Sequence, residues 1–296
     1  MLDKILVPLD GSSLGELTLS YAAEVASAFN SQVQLVYVCE KHDSEYCRTV
    51  QAYLDKVAGE MRNIFIKTAS QATVEPVLLQ GKPATEIIQY AQQKEMDLVL
   101  IASHGRTGIK AWVMGSTANK VVHLIHQPTL LVRASVANAE KHPINLFHKI
   151  LVPLDGSENG EAVLPYIIEM ALKLKSEIML LSVVELSERV HTIGGLDYIH
   201  FPEYFIDSMK KDSENYLAGL SKKLMDKGIV VQNEIREGNA AEEIVTFGNE
   251  NNISLIAMSS HGKSDSREWV MGSVANKILH VSKLPVLLVR SAPVKQ

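Results

Sequence analysis

The stretch Lys4–Ser12, KILVPLDGS, recurs letter for letter at Lys149–Ser157, 145 residues later. Three more pairs of identical segments follow in the same order but lie 157 residues apart: SHG at 103 and 260, WVMGS at 112 and 269, and LLVR at 130 and 287. Matches in a fixed order indicate one structural unit written twice. The growth of the offset from 145 to 157 gives the second copy a net 12 extra residues. We place these residues around His191–Pro202, where two glycines and a proline predict a loop.

The length of the chain fits two domains, because a domain averages about 150 residues and the chain has 296. We predict a first domain at 1–137, a second domain at 149–296, and a polar linker at 138–148 that contains Pro143. The net charge of -5 argues against a protein that binds the phosphates of nucleic acids in general.

The cysteines and the N-terminus bear on the compartment. Cys39 and Cys47 both lie in the first copy. They predict neither a disulfide framework nor a zinc site, which suits a reducing cytosol. The chain runs from Met1 straight into a strand pattern rather than a signal peptide. No apolar run approaches the roughly 18 residues of a membrane span. We therefore expect a cytoplasmic protein without a membrane partner.

Short, nearly continuous apolar runs alternate with helical patterns along each copy. Such runs are typical of strands buried on both faces of a parallel sheet, and the alternation predicts βαβ units. The predicted strands are 5–9, 33–39, 74–79, 97–102 and 129–133, followed by 150–154, 178–184, 230–235, 254–258 and 286–290. The predicted helices of the first copy are 14–29, 44–68, 84–94 and 117–125. The fold class is therefore α/β, with a five-stranded parallel sheet in each copy.

The repeated motifs fall at the carboxyl ends of predicted strands, where open parallel sheets bind their ligands. After the fourth strand, a glycine is followed by nine residues, a Gly-Ser pair and a helix, at Gly105 and Gly115 in one copy and at Gly262 and Gly272 in the other. Free backbone N–H groups at such a helix start attract anions. The alternative is that the glycine only turns the chain and the serine only caps the helix.

Asp10 and Asp155 follow the first strand of each copy. Each carboxylate could accept hydrogen bonds from ribose hydroxyls. Alternatively, Asp-Gly-Ser forms an ordinary turn, and Ser13 with Glu16 forms a capping box.

The loop histidines and the missing enzyme signatures favour binding over catalysis. His104 and His261 stand without further ligands at metal spacing, so we expect them to contact backbone or phosphate rather than to hold a metal or to catalyse. The sequence contains no G-x-x-x-x-G-K-[ST], no G-x-G-x-x-G after its first strand and no G-x-S-x-G. We predict a site that binds, with no catalytic residue and at most slow ATP hydrolysis.

With these motifs the chain resembles the universal stress protein family in its tandem two-domain form. The resemblance covers nearly all of both copies. ATP-binding members of that family carry G-x2-G-x9-G-[ST] after the fourth strand, and here Ala102 and Ser259 replace the first glycine. These small residues are harmless where the backbone φ is negative and costly where it is positive. The implied fold is two tandem Rossmann-like domains, similar to adenine nucleotide alpha hydrolases.

The resemblance also implies a ligand, ATP with or without Mg²⁺, in one copy or both. The implied contacts in the first copy are Pro8, Leu9, Asp10, Val38, Ala102, His104, Gly105, Arg106, Gly115, Ser116 and Thr117. Those in the second copy are Pro153, Leu154, Asp155, Val183, Ser259, His261, Gly262, Lys263, Gly272, Ser273 and Val274. The function implied is that of a stress-response sensor or adaptor.

Two other functions stay open. One is a nucleotide-free scaffold, and the other is a binder or enzyme for a different ligand, with the insert covering the second site. Single-domain relatives dimerise through their last strand, which implies that 129–133 and 286–290 pair within this chain as an internal pseudo-dimer. A higher homo-oligomer stays open as well.

Overall fold

The structure is a computed structural model that describes residues 2–40, 44–104, 114–133, 145–192, 195–263 and 271–291. The chain divides into two compact units. The first contains Met1–Phe147 and Lys283–Arg290, and the second contains His148–Ser282 and Ser291–Gln296. The matching repeats and this division show two α/β units in tandem.

The first unit alternates strands and helices as the sequence predicts. Its strands are β1 (Lys4–Leu9), β2 (Gln32–Cys39), β3 (Thr73–Gln80), β4 (Leu98–Ala102), β5 (Thr129–Val132) and the chain's last strand, β12 (Val286–Val289). Its helices are α1 (Ser13–Glu16), α2 (Thr18–Phe29), α3 (Ser44–Lys67), α4 (Pro83–Gln93) and α5 (Ser116–Leu124). The strand order is β3-β2-β1-β4-β5-β12. All neighbours up to β5 are parallel, and β12 is antiparallel to β5.

The second unit repeats the pattern. Its strands are β6 (Lys149–Pro153), β7 (Glu177–Val184), β8 (Ser187–Thr192), β9 (Gly195–His200), β10 (Val231–Glu237) and β11 (Leu255–Ser259). Its helices are α6 (Glu158–Glu161), α7 (Leu164–Leu174), α8 (Glu203–Met225), α9 (Ala240–Glu250) and α10 (Ser273–Val281). The main sheet has the order β10-β7-β6-β11, and its strands are parallel. The predicted α/β class is confirmed. Of the five strands predicted for the second copy, the described main sheet of the second unit contains four, because β12 belongs to the first compact unit.

The apolar runs become strands because the sheets are covered on both faces. Every residue of β4, β5 and β11 is buried. A run without polar interruptions suits such a position, since neither face of the strand meets water. The parallel order brings the carboxyl ends of β1, β2 and β4 to one edge of the first sheet, and those of β6, β7 and β11 to one edge of the second.

The predicted helix 14–29 is interrupted in the structure. It divides at Leu17 into α1 and α2, because the Leu17 N–H bonds the Leu14 carbonyl 3.3 Å away and closes the first turn tightly. The predicted capping box at Ser13 and Glu16 is wrong. Ser12 is the N-cap, its Oγ accepting from Gly15 N at 3.0 Å, and Ser13 already belongs to the helix.

The loop predicted at His191–Pro202 is also wrong in part. The segment contains most of an antiparallel hairpin in which β8 pairs with β9, Ser187 opposite His200 and Thr192 opposite Gly195. The sequence between 188 and 200 is rich in β-branched and aromatic residues, which favour strands. Residues 193 and 194, between the two strands, lie outside the described ranges.

Within the described ranges, none of the helices combines the length and the apolar character needed to cross a bilayer.

Candidate functional site

A cleft of about 340 Å³ opens in the first unit at the carboxyl edge of its sheet. The ends of β1, β2 and β4 form its floor, and the first turns of α4 and α5 form its sides. It is lined by nine predicted contacts: Pro8, Leu9, Asp10, Val38, Ala102, His104, Gly115, Ser116 and Thr117. The other two predicted contacts in this copy, Gly105 and Arg106, lie outside the described residues. The tryptophans of the repeated WVMGS segments, Trp112 and Trp269, also lie outside the described residues.

The cleft has an apolar wall that the motifs did not predict. Val36, Pro83 and Ile87 line it together with Val38. Pro83 is the first residue of α4, a position where its fixed φ suits the start of a helix. Ile87 follows one turn later and is buried. These residues make one end of the cleft suitable for a flat apolar group.

The start of α5 forms the opposite end of the cleft. Gly115 is the N-cap, and no side chain caps the helix. Ser116 is the first helical residue, so the alternative in which this serine only caps the helix does not hold. The N–H groups of the first turn therefore lack an intrahelical partner, and Ser116, Thr117 and Ala118 line the cleft there. The same arrangement recurs in the second unit, where Gly272 is the uncapped N-cap of α10.

Neither an unusual backbone nor a steric clash requires glycine at position 115. Its φ is -57°, a value that any residue adopts. Its N–H donates to the Ser103 carbonyl at 2.8 Å. A β-carbon on Gly115 would lie 3.4 Å from that carbonyl oxygen. In the second unit Gly272 N donates to the Ser260 carbonyl at 2.9 Å, so both copies tie the helix start to the end of the neighbouring strand.

Asp10 and Asp155 perform the predicted turn role in both copies. Asp10 Oδ1 accepts from Ser12 N at 3.0 Å and Asp155 Oδ1 from Ser157 N at 3.0 Å, and each also accepts from the serine Oγ. Asp10 lines the cleft as well, so the turn role does not remove it from the site. The ribose contact stays a prediction.

In the second unit, the Asp155 carboxylate leaves no room for a side chain at two glycine positions. A β-carbon on Gly160 would lie 2.6 Å from Asp155 Oδ1, closer than a real contact allows. A β-carbon on Gly262 would collide with Asp155 Oδ2, and the same oxygen accepts from Lys263 N at 2.7 Å. Gly262, the second glycine of the family motif, therefore lets the loop after β11 close on the carboxylate at the end of β6.

The remaining predicted contacts of the second copy lie at the same edge of their sheet. They are Pro153 and Leu154 at the end of β6, Val183 in β7, Ser259 and His261 at the end of β11, and Ser273 and Val274 at the start of α10.

The replaced motif glycines cost no backbone strain. Ala102 and Ser259 are the last residues of β4 and β11, and neither has a positive φ. Alanine and serine are therefore tolerated at these positions. The Ser259 Oγ is buried and has no hydrogen-bond partner among the described residues.

The loop histidines are held by neighbouring serines. His104 Nδ1 lies 3.0 Å from Ser103 Oγ, and His261 Nδ1 lies 2.8 Å from Ser260 Oγ. A side-chain contact thus orients each ring, and the predicted contact to backbone or phosphate stays a prediction. His104 Nε2 is buried and has no partner in the described part of the chain. No group of three or more His, Cys, Asp or Glu in that part could hold a metal ion.

A tyrosine and a glutamate form a second repeated feature, which sequence reasoning missed. The Tyr53 hydroxyl donates to Glu16 Oε1 at 3.0 Å, and the Tyr216 hydroxyl donates to Glu161 Oε1 at 2.8 Å. Burial, the hydrogen bond to the glutamate and the nearby carboxylates raise the pKa of both tyrosines well above the usual value. The pairs join the long helix of each unit, α3 or α8, to the short helix that follows the aspartate turn, α1 or α6.

Tyr53→Phe is expected to lower the free energy of unfolding by about 1–2 kcal/mol, since it removes a hydrogen bond to a charged group. The folded-state pKa of Tyr53 lies above the unfolded value of about 10. The contribution is therefore fully present below about pH 10 and is lost as the pH rises towards the folded-state pKa. Urea unfolding of both proteins from pH 7 to pH 11 checks this. Tyr204→Phe, at an exposed position, should change nothing, and an equal loss there would contradict the assignment.

Fold and site together define a tandem α/β protein with a cleft at the carboxyl edge of its first sheet. The model of the universal stress protein family matches residues 1–133 and 146–290, and the chain belongs to that family.

Similar proteins agree with this assignment. Universal stress protein YxiE of Bacillus subtilis is 33% identical over 150 residues, which cover 49% of this chain and 100% of that protein. Universal stress protein Slr1230 of Synechocystis sp. is 21% identical over 314 residues, covering 97% of this chain and 99% of that protein. The crystal structure of a universal stress protein from Archaeoglobus fulgidus matches with a TM-score of 0.72 at 18% identity, covering 99% of this chain and 100% of that one. The tandem form fits the two family matches.

Proposed function

We propose that the first unit binds an adenine nucleotide, ATP, in the cleft between β1, β2, β4 and the starts of α4 and α5, and that the protein acts as a sensor or adaptor in the stress response. The proposal rests on one observation, namely that a single cleft has an apolar end and an opposite end suited to an anion. The uncapped start of α5 forms one end, and the apolar wall around Val38 and Ile87 forms the other. Its volume of about 340 Å³ falls within the range of small-molecule sites.

The lining suggests how such a ligand would lie. Adenine would rest against the apolar wall, and the ribose would meet Asp10. The phosphates would lie at the start of α5, where the helix dipole and free N–H groups favour negative charge. His104 Nε2, buried in the same lining, would gain the partner that it lacks among the described residues. Mg²⁺, where it binds, would enter with the triphosphate.

The second copy offers a related arrangement. Asp155 accepts three of the roughly four hydrogen bonds that a carboxylate can accept, which leaves room for one ribose hydroxyl. We propose ATP binding there as well, with Ser259 Oγ as an additional donor. We further propose the boundaries 1–137, 138–148 and 149–296 for the two domains and their linker, and a cytoplasmic location.

The experiment is an ATP titration of the full chain. Calorimetry should detect binding at micromolar to millimolar ATP, with and without Mg²⁺. ATP at about 100 times its dissociation constant should raise the unfolding midpoint by several degrees. Turnover should stay below ~1 s⁻¹, the low end of ordinary enzymes. The absence of both binding heat and a midpoint shift at millimolar ATP would refute the proposal and would favour the nucleotide-free scaffold.

The last strand supports a proposal about assembly. β12 belongs to the first compact unit although the second repeat encodes it. It pairs antiparallel with β5, Leu287 opposite Leu130. Arg290, just after β12, donates to the Ile125 and Val122 carbonyls at 3.2 and 3.3 Å and also to the His123 carbonyl. We propose that this pairing is the intramolecular counterpart of a subunit interface, an internal pseudo-dimer.

Arg290→Ala is expected to lower the free energy of unfolding by about 2 kcal/mol, because three carbonyls at the end of α5 lose a charged donor. Burial lowers the pKa of this guanidinium, which nevertheless stays protonated across the accessible range. Lys283→Ala is the control, since Lys283 is exposed in the same segment. Urea denaturation of the three proteins measures the difference. Equal stability of Arg290→Ala and wild type would show that β12 is not held through this contact.

A further inference from the structure

The two cysteines of the chain meet at one edge of the first unit. Cys39 is the last residue of β2 and is 1% exposed. Cys47 lies in the first turn of α3 and is half-buried. The Cys47 thiol lies close enough to that of Cys39 to help raise the Cys39 pKa. Two cysteines that are the only ones in 296 residues, and that come from different elements, are thus brought into contact.

A second contact fixes the same pair of elements. Tyr37 precedes Cys39 by two residues, so both side chains leave the same face of β2. Tyr46 directly precedes Cys47. The hydroxyls of Tyr37 and Tyr46 lie 2.6 Å apart. The hydroxyl contact places the first turn of α3 beside the end of β2, and the two cysteines follow these tyrosines in each element.

We propose that Cys39 and Cys47 form a dithiol that a hydroperoxide oxidises to an intramolecular disulfide. In the first step, the Cys47 thiolate attacks the peroxide. A sulfur–oxygen bond forms, the oxygen–oxygen bond breaks, and the released alkoxide or hydroxide takes up a proton. In the second step, the Cys39 sulfur attacks the Cys47 sulfenic acid, loses its proton and expels hydroxide, which leaves as water. The two sulfurs together lose two electrons, and the peroxide gains them.

The difference in burial sets the order of the steps. A peroxide reaches the half-buried Cys47 before the buried Cys39. Burial and the interaction with Cys47 raise the pKa of the Cys39 thiol to about 11, so Cys39 stays protonated near neutral pH and is the poorer nucleophile towards a peroxide. The first attack therefore falls to Cys47, and Cys39 is left to react with the sulfenic acid. The sulfurs must then close to about 2.05 Å. Cys47 stands in a first helical turn whose other residues, Ser44, Glu45 and Tyr46, are exposed, and such ends adjust readily.

The modification would be confined to the first copy. At the matching position of β7 the second copy has Val184. In the first copy the neighbours of Cys39 in sequence, Val38 and Glu40, both line the cleft. A disulfide would covalently fix α3 to the strand end that forms part of the cleft wall. The inference does not depend on which ligand the cleft takes.

The test uses the full chain, treated with hydrogen peroxide and then alkylated under non-reducing conditions. Trypsin cuts after Lys41 and Arg48, so the two cysteines fall on separate peptides unless a disulfide joins them. Mass spectrometry should find the two peptides joined, and dithiothreitol should release them. The oxidised protein should unfold about 5 °C higher than the reduced protein, because a short loop is closed.

Two single variants are the controls. Cys39→Ser should leave Cys47 as a sulfenic acid that dimedone traps, with no rise in the unfolding midpoint. Cys47→Ser should leave Cys39 as a free thiol. Independent oxidation of both cysteines in the wild-type chain, or disulfides formed only between chains, would overturn the proposal.

Discussion

Gly115→Val is expected to weaken ATP binding to the first unit by about 100-fold or more, a loss of about 2.7 kcal/mol. Gly115 lines the cleft, and a β-carbon there already touches the Ser103 carbonyl oxygen at 3.4 Å. The two further methyl groups of valine therefore have to occupy space that the phosphates would take. The fold should survive, because the φ of -57° at Gly115 is open to any residue. Calorimetry measures the affinity, and circular dichroism checks the fold.

Two variants test whether the loss comes from the size and the place of the added side chain. Gly115→Ala adds a single carbon at an ordinary contact distance and should change the affinity less than tenfold. Gly59→Val makes the same exchange on α3, where a β-carbon meets nothing within 4 Å, and should leave the affinity unchanged. If a second binding site in the second copy masks the loss, Gly272→Val combined with Gly115→Val removes both. Unchanged affinity in the double variant would show that neither glycine loop receives the phosphates.

The regular parts of the fold could be predicted because their signals are local. A run such as Ile5–Leu9 without polar interruptions identifies a strand buried on both faces, and β1 covers it. The repeat then transfers each assignment to the second copy. The hairpin of β8 and β9 was missed because its glycines and the nearby proline predict a loop equally well. The break at Leu17 depends on a single tight hydrogen bond, which the helical pattern does not reveal.

The candidate site was predictable where its residues follow strand ends or begin helices. Asp10 and Gly115 belong to motifs that the topology of a parallel sheet brings to one edge. Pro83 and Ile87 were missed because their contribution depends on how α4 packs against β2. The bond between Tyr53 and Glu16 was missed for the same reason, since the residues are 37 positions apart and meet only when α3 packs beside α1.

The described end of the predicted linker packs more tightly than its composition suggests. The stretch 138–148 is polar on average, yet its described end packs like core. Phe147 is fully buried and meets the Tyr21 ring edge-on, with centroids 5.6 Å apart. Leu146 N donates to Glu24 Oε2 at 3.0 Å. The chain leaving the first unit is therefore held against α2 before β6 begins, and one aromatic residue outweighs the polar average.

Phe147→Ala is accordingly expected to lower the free energy of unfolding by about 3–5 kcal/mol, the cost of removing a buried aromatic ring and leaving a cavity. A residue in a solvated linker would give a change within about 0.5 kcal/mol. Urea denaturation measures the difference, provided that the slope of the unfolding free energy against urea concentration is the same for both proteins. Phe147→Leu keeps most of the buried volume and should recover more than half of the loss.

Ile66→Ala provides the matched control, because Ile66 is a large apolar residue that is 75% exposed on α3. Its removal deletes apolar atoms that the fold does not bury, so the stability should stay within about 0.5 kcal/mol of the wild type. The two substitutions differ mainly in burial, and their difference isolates the packing of Phe147 on α2. If Phe147→Ala were as mild as Ile66→Ala, the segment before β6 would be an unpacked tether, as its composition predicts, and the contact with Tyr21 would contribute nothing to the first unit.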